Sequence, residues 1–212
     1  MLIPVNELTR AKGRLAAVLA PEERARLVLA TVRTVVEAVR GAGLEPVLLT
    51  RDARIKAEFE GVATLMDEDP AVHGLNAQVE TAIARLGPGA EEVLILHADL
   101  PLASAEAIGR LVADASPAPS VALVESADGG TNGMLLRPPG RFALAYGRES
   151  FALHESAARA AGMTVRRCEI AELALDLDTP ADVERLLAVP GGPESAAGRV
   201  LRSGTGASGA LG

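Results

Sequence analysis

The chain contains no tryptophan, and phenylalanine and tyrosine together make up only 2% of its 212 residues. Any core must therefore be built from aliphatic side chains. Cysteine is equally scarce: Cys168 stands alone, which excludes an internal disulfide and fits a reducing compartment. Lysine occurs only at Lys12 and Lys56, the other basic residues being arginine, and the net charge is −7. Nucleic acids and anionic membranes are bound by neutralising phosphates with clustered Lys and Arg, so neither is an expected partner. Small anionic ligands remain open, since they need only a local cationic pocket. No cationic apolar leader or long apolar span is visible, and the expectation is a cytoplasmic protein that does not span or bind a membrane.

What is present is an alternation of short apolar runs with helical patterns. Hydrophobic residues are 49% and charged residues 23% of the chain, enough for one sizeable domain over residues 1–189. Residues 190–212 are rich in Gly, Ser and Ala with little to bury, and read as a disordered tail. The runs Leu2–Val5, Val47–Thr50, Val93–Leu96 and Val121–Val124 are continuous rather than alternating, as in strands covered on both faces. Between the first two, residues 21–40 carry Pro21 at the helix start, Glu22 and Glu23 in the first turn and an apolar stripe through Val28, Val32, Val35, Val36 and Val39. The fold class this predicts is α/β, with a mostly parallel central sheet and helices on both faces in three layers.

In such sheets ligands bind at the carboxyl ends of the strands. Asp99 closes the run Val93–Leu96 at such an end and fits two descriptions, a strand-ending cap or a ligand for a hard cation; Ser104 is the better owner of the following cap. Asp176 and Asp178 alternate to one face of a second apolar segment and are left over once Thr179, Pro180 and Asp182 are assigned to a helix start, so one or both can join Asp99 at a metal. After the first strand, Arg10, Lys12, Gly13 and Arg14 form a cationic loop in which a glycine lets backbone amides approach an anion. Gly74 and Asn76 lie at a helix start, where Asn76 is a cap or a contact to phosphate or ribose oxygens. The Gly-rich stretch 128–133, long for a hairpin, carries Thr131 and Asn132, while Gly147, Arg148 and Ser150, the last an expected N-cap, precede another helix. All five can contact an anion.

Taken in order, Ile3-Pro4-Val5, Ala11-Lys12-Gly13-Arg14-Leu15, Gly74-Leu75-Asn76, Ala98-Asp99-Leu100-Pro101-Leu102, Gly130-Thr131-Asn132, Gly147 with Ser150 and His154, and Asp176-Leu177-Asp178-Thr179-Pro180 resemble the guanylyltransferases of coenzyme F-420 biosynthesis. These lie within the nucleotidyltransferases of Rossmann-like fold. The resemblance spans residues 2–188. It implies transfer of GMP from GTP to a small phosphorylated three-carbon acid, namely 2-phospho-L-lactate, phosphoenolpyruvate or 3-phosphoglycerate, with release of pyrophosphate and with magnesium as cofactor. It further implies catalytic roles for Lys12, Arg14 and Asp99; nucleotide contacts from Lys12, Arg14, Gly74, Asn76 and Asp99; acceptor contacts from Thr131, Asn132, Gly147, Arg148 and Ser150; and metal ligation by Asp99, Asp176 and Asp178.

The chain departs from the family pattern at two places. Asn6 replaces a lysine expected near the acceptor, and Arg148 stands where relatives carry proline, which could restore the charge from the other side. A homodimer and hand-off of the product to the next pathway transferase stay open. The rival readings are another metal-dependent nucleotidyltransferase on this fold, molybdopterin- or cytidylyltransferase-like, and a non-catalytic nucleotide-binding regulator.

Overall fold

Short runs rich in Val, Leu and Ile form the central strands, and the described residues hold seven strands in all: β1 (Leu2–Pro4), β2 (Val47–Leu49), β3 (Thr64–Met66), β4 (Val93–Leu96), β5 (Ser120–Glu125), β6 (Thr131–Arg137) and β7 (Thr164–Arg167). The structure, a computed structural model, describes residues 1–8, 12–87 and 89–205. The strands make one sheet in the order β3-β2-β1-β4-β6-β5-β7. All neighbours run parallel except β6, which is antiparallel to both β4 and β5. Because β6 runs backwards, its first residues lie beside the last residues of β4, with Gly133 opposite Leu96. A Cβ at Gly133 would meet the Leu96 side chain at 3.0 Å and those of Leu111 and Val124 at 3.3 Å, so a larger residue there would require these side chains to shift.

The helices are α1 (Pro21–Gly41), α2 (Ala53–Phe59), α3 (Leu75–Arg85), α4 (Ala105–Ala113), α5 (Ser150–Ala160), α6 (Ala171–Ala174), α7 (Pro180–Ala188) and α8 (Ala196–Thr205). Strand alternation divides the core in two. Ile3, Leu48, Leu94 and Leu96 pack with Val32, Val35 and Val39 of α1 and with Ile108 and Leu111 of α4. Their neighbours Leu2, Val47, Val93 and Ile95 point the other way, onto Val79 of α3 and Phe151 and Ala158 of α5. Both faces are thus covered by helices, which explains the unbroken apolar runs of the central strands.

The capping logic is visible where it was expected. Ser104 Oγ accepts the Ala107 amide at 3.1 Å, and Thr179 with Asp182 forms a reciprocal capping box at α7. Asp99 is therefore free of any capping duty. Two expectations are corrected here. The stretch 128–133 does close a hairpin, because β6 begins at Thr131 and a register shift at Val124/Glu125 takes up the extra length. Ser150 is the first residue of α5, and its cap position belongs to Glu149.

The chain beyond residue 189 also differs from expectation. Residues 196–205 form α8, and its Ala197 and Leu201 are buried in a third cluster with Leu15, Leu27, Leu177 and Leu186. Two apolar residues four positions apart were enough for one buried stripe, although the surrounding Gly, Ser and Ala concealed it. Residues 206–212 lie outside the described ones. Leu201→Ala should lower the unfolding free energy by about 2–3 kcal/mol through lost burial and a residual cavity, measured as a shift of the urea midpoint. A change near zero would show that α8 is not docked.

Candidate active site

Three chain segments meet at the carboxyl end of the sheet. Lys12, from the loop after β1, directs its ammonium between Asp99 Oδ2 at 2.5 Å and Asp178 Oδ1 at 2.7 Å. Its backbone is left-handed, with φ 56°, a conformation that is uncommon outside glycine and concentrates at functional sites. Asp99 lies three residues past β4. Asp176 and Asp178 lie in the link between α6 and α7, which is irregular rather than a strand, yet alternation still sends both carboxylates the same way.

The electrostatics follow from burial and proximity. Burial works against a charged Lys12, but Asp99 and Asp178 outweigh it and hold the ammonium above its ordinary range. Burial likewise opposes the Asp99 carboxylate, and Lys12 and His97 reverse this and pull it down. Asp176 makes no ion pair among the described residues. Burial and then Asp99 push its carboxyl up to about 6, against a hydrogen bond from Asn132 Nδ2 at 3.4 Å.

A divalent cation fits this arrangement. Ligand atoms of Asp99, Asp176 and Asp178 lie within 4.8 Å of one another, and Asp99 Oδ1 is buried with no hydrogen-bond partner among the described residues. Three carboxylates against one ammonium leave two negative charges in excess, which matches a hard divalent ion held by oxygen ligands. Beside this cluster lies a cavity of about 230 Å³, lined by Val5, Asn6, Lys12, Leu75, His97 and Asp99 among others. His97 was not singled out from the sequence. Its Nε2 is buried and unpartnered among the described residues, a feature that only side-chain packing reveals.

Three of the five expected acceptor residues, Thr131, Asn132 and Ser150, belong to a second, buried polar group. Thr131 Oγ1 lies 3.0 Å from His154 Nδ1 and accepts from Ser150 Oγ at 3.1 Å. The Ala145 amide donates to His154 Nε2 at 2.8 Å, so the proton of the neutral ring is on Nδ1. Burial, with His97 nearby, lowers His154 to about 4. Asn132 links the two groups, since its amide donates both to Ala174 O and to Asp176. Gly147 accepts the Ser150 amide and has φ 134°, a conformation that favours glycine.

The remaining predicted residues are placed as follows. Asn76 lies one residue inside α3 rather than at its cap and is bonded to both backbone groups of Tyr146, accepting at 2.7 Å and donating at 3.2 Å. Gly74 is the N-cap of α3 and borders a smaller cleft next to the cavity. Arg14 is exposed, within electrostatic reach of Asp128. Arg148 is exposed beside Gly147. Arg10 lies outside the described residues.

A family model described as "Guanylyl transferase CofC like" matches residues 1–202. A phosphoenolpyruvate guanylyltransferase from Rubrobacter xylanophilus is 43% identical over 195 residues, covering 90% of this chain and 94% of that one. A 2-phospho-L-lactate guanylyltransferase from Halorubrum lacusprofundi is 35% identical, covering 84% and 79%. Among solved structures, one described as a nucleotide-diphospho-sugar transferase from Desulfovibrio desulfuricans superposes with a TM-score of 0.79 at 17% identity, covering 97% and 94%, and is similar in fold.

Two consequences can be measured. Asp176→Asn removes a buried charge without a cation of its own, so the metal-free protein should gain about 1–2 kcal/mol while losing the rise in melting temperature that magnesium or manganese gives the wild type. A loss of stability without metal would contradict this. His154, neutral when folded, should show no protonation down to about pH 5 in an NMR titration. Its folded pKa lies below the unfolded one, so its contribution is complete above about pH 6.5 and is lost as the pH falls toward 4, on the order of 3 kcal/mol. Titration of His154 near 6.5 would contradict the assignment.

Proposed function

The chain belongs to the family described as guanylyl transferase CofC like, and from that membership we propose that it transfers GMP from GTP to a small phosphorylated three-carbon acid. Pyrophosphate is released, and the product serves coenzyme F-420 biosynthesis. Phosphoenolpyruvate is the first acceptor to expect, because the relatives with 43%, 39% and 37% identity are phosphoenolpyruvate guanylyltransferases; 2-phospho-L-lactate and 3-phosphoglycerate are the others. The observation that carries the reading is the set Lys12, Asp99, Asp176 and Asp178 beside a cavity at the strand ends.

In this reaction an oxygen of the acceptor's phosphate attacks the α-phosphorus of GTP, a new P–O–P link forms, and the bond to the β-phosphate breaks with its electrons leaving on pyrophosphate. Both partners are anions, so positioning and charge compensation do most of the work. Magnesium, held by Asp99 with Asp176 and Asp178, would supply Lewis-acid polarisation and offset the charge of the triphosphate. Lys12 is a fixed ammonium at the same place and meets the phosphates, with Arg14 reaching in from the exposed side of the loop. Thr131, Asn132, Gly147 and Ser150 shape the acceptor side, and His154 holds Thr131 in position.

Asn6 lines the cavity where the family pattern has lysine. Arg148, exposed beside Gly147, is the residue we assign to compensate that lost charge at the acceptor. The cytoplasm is the proposed compartment, in keeping with a lone buried Cys168; no helix among the described residues is long and apolar enough to cross a membrane.

Purified protein with magnesium, GTP and phosphoenolpyruvate should release pyrophosphate, and ATP, CTP or UTP should give much less. Asp99→Asn should lower turnover by about 10³-fold with an unchanged circular dichroism spectrum. Absence of release with GTP and all three acids would overturn the proposal.

A further inference from the structure

The catalytic cavity does not end at the phosphate-handling residues. It shares Pro4, Val5, Asn6 and Leu75 with an adjoining cleft of about 140 Å³ at the ends of β1 and β2. Leu75 borders both spaces and is one of the few large apolar side chains left exposed, at 38%. An exposed aliphatic side chain of that kind can pack against the flat face of a nucleobase. The far wall of the cleft holds an ion pair, Arg51 and Glu68.

This pair is held for orientation. Arg51 follows β2 and Glu68 follows β3, so both project from the same end of the sheet as Asp99. Arg51 Nε donates to Glu68 Oε2 at 2.6 Å, and its Nη2 approaches that same oxygen at 2.5 Å. The Glu68 side chain is only 15% exposed. Its neighbour Asp69 is pinned on both backbone groups by the buried Gln78, whose Oε1 accepts the Asp69 amide at 2.9 Å while Nε2 donates to the Asp69 carbonyl at 2.7 Å. An ion pair whose arginine is half exposed contributes little to stability, which leaves its placement in this small cleft as the feature to explain.

We propose that Glu68, oriented by Arg51, reads the purine edge of the nucleotide by accepting the N1–H and 2-amino protons of guanine. The proposal rests on the guanylyl-transfer reading. Guanine offers two adjacent donors to one carboxylate. Adenine places an acceptor at N1, which would face the carboxylate with like polarity, and pyrimidines fall short of the wall. A buried group built to accept hydrogen bonds rejects a base that lacks the donors, because it is then left unpaired. Glu68 lies away from the reacting phosphates, so its effect belongs in nucleotide affinity rather than in the chemical step.

Inosine triphosphate, which lacks only the 2-amino group, isolates one of the two bonds. With phosphoenolpyruvate as acceptor, wild-type kcat/KM for GTP should exceed that for ITP by about 10- to 100-fold. In Glu68→Gln and Glu68→Ala this ratio should fall to within about threefold, through a raised KM for GTP at nearly constant kcat. Circular dichroism checks that both variants fold, and the near-isosteric glutamine variant carries the test if alanine unfolds the chain. A GTP-using wild type whose GTP-to-ITP ratio is unchanged in folded variants would overturn the assignment of Glu68 alone. A wild type without turnover on GTP would overturn the functional reading and this inference with it.

Discussion

The contact on which the site depends is the Lys12 ammonium between Asp99 and Asp178, residues 87 and 166 positions away in sequence. It draws the loop after β1, the end of β4 and the link before α7 to one point. Each is held separately: Asp99 by a strand buried on both faces, Asp178 by the capping box of α7, and Lys12 by the 3-10 turn at Gly13–Leu15 whose Leu15 is fully buried. The like charges of the carboxylates would repel one another in a partly dry setting, and the single ammonium offsets only part of that repulsion. The unpaired oxygen of Asp99 and the raised carboxyl of Asp176 are the two visible signs of the remaining imbalance. Such a site is less stable than an apolar one would be, as sites organised for charge handling are.

The second polar group is linked to the first through β6. Running against β4, this strand presents Thr131 and Asn132 to the crevice instead of to the far end of the sheet. Thr131 is then held by His154 and Ser150, while Asn132 reaches Asp176. Reversing one strand therefore brings residues of the 128–133 hairpin next to a carboxylate more than forty positions later in the chain. The neutrality of His154 belongs to the same design, because protonating Nε2 would destroy the bond from the Ala145 amide.

Much of this was legible in the chain. Periodicity and apolar runs located the strands and the long helix, and a helix start at Thr179-Pro180 left Asp176 and Asp178 unassigned, which marked them as candidates to join Asp99, where the fold gathers all three. Lys12 stood out as part of a cationic loop with a glycine directly after the first strand. Other features depended on tertiary contacts that no local pattern encodes. Asn76 sits at a helix start like a cap or phosphate contact, but it clamps the backbone of Tyr146, seventy positions on. His97 was hidden inside an apolar motif. The hairpin at 128–133 was obscured by a bulge that lengthens it, and α8 by a composition that counts residues without regard to which face they occupy. The pairing of Arg51 with Glu68 crosses two strand ends and has no sequence signature at all.

The charge of the whole molecule sharpens what the site has to do. A protein of net charge −7 repels a nucleoside triphosphate and a phosphorylated acid at long range, so association gains nothing from steering and depends on local compensation. Within the cavity Lys12 is already committed to two carboxylates, and Asn6 contributes no charge. Under the proposed function, the phosphates would gain full use of Lys12 only when the carboxylates have another positive partner. Cation and nucleotide are in this way coupled: each lowers the electrostatic cost of the other, and by linkage the enhancement is reciprocal. The same coupling separates the roles along the cleft. On the proposed reading, groups near Asp99 would respond to charge and not to which base is attached, so discrimination among nucleotides would fall to contacts beyond Leu75, where hydrogen-bond pattern rather than charge distinguishes the candidates.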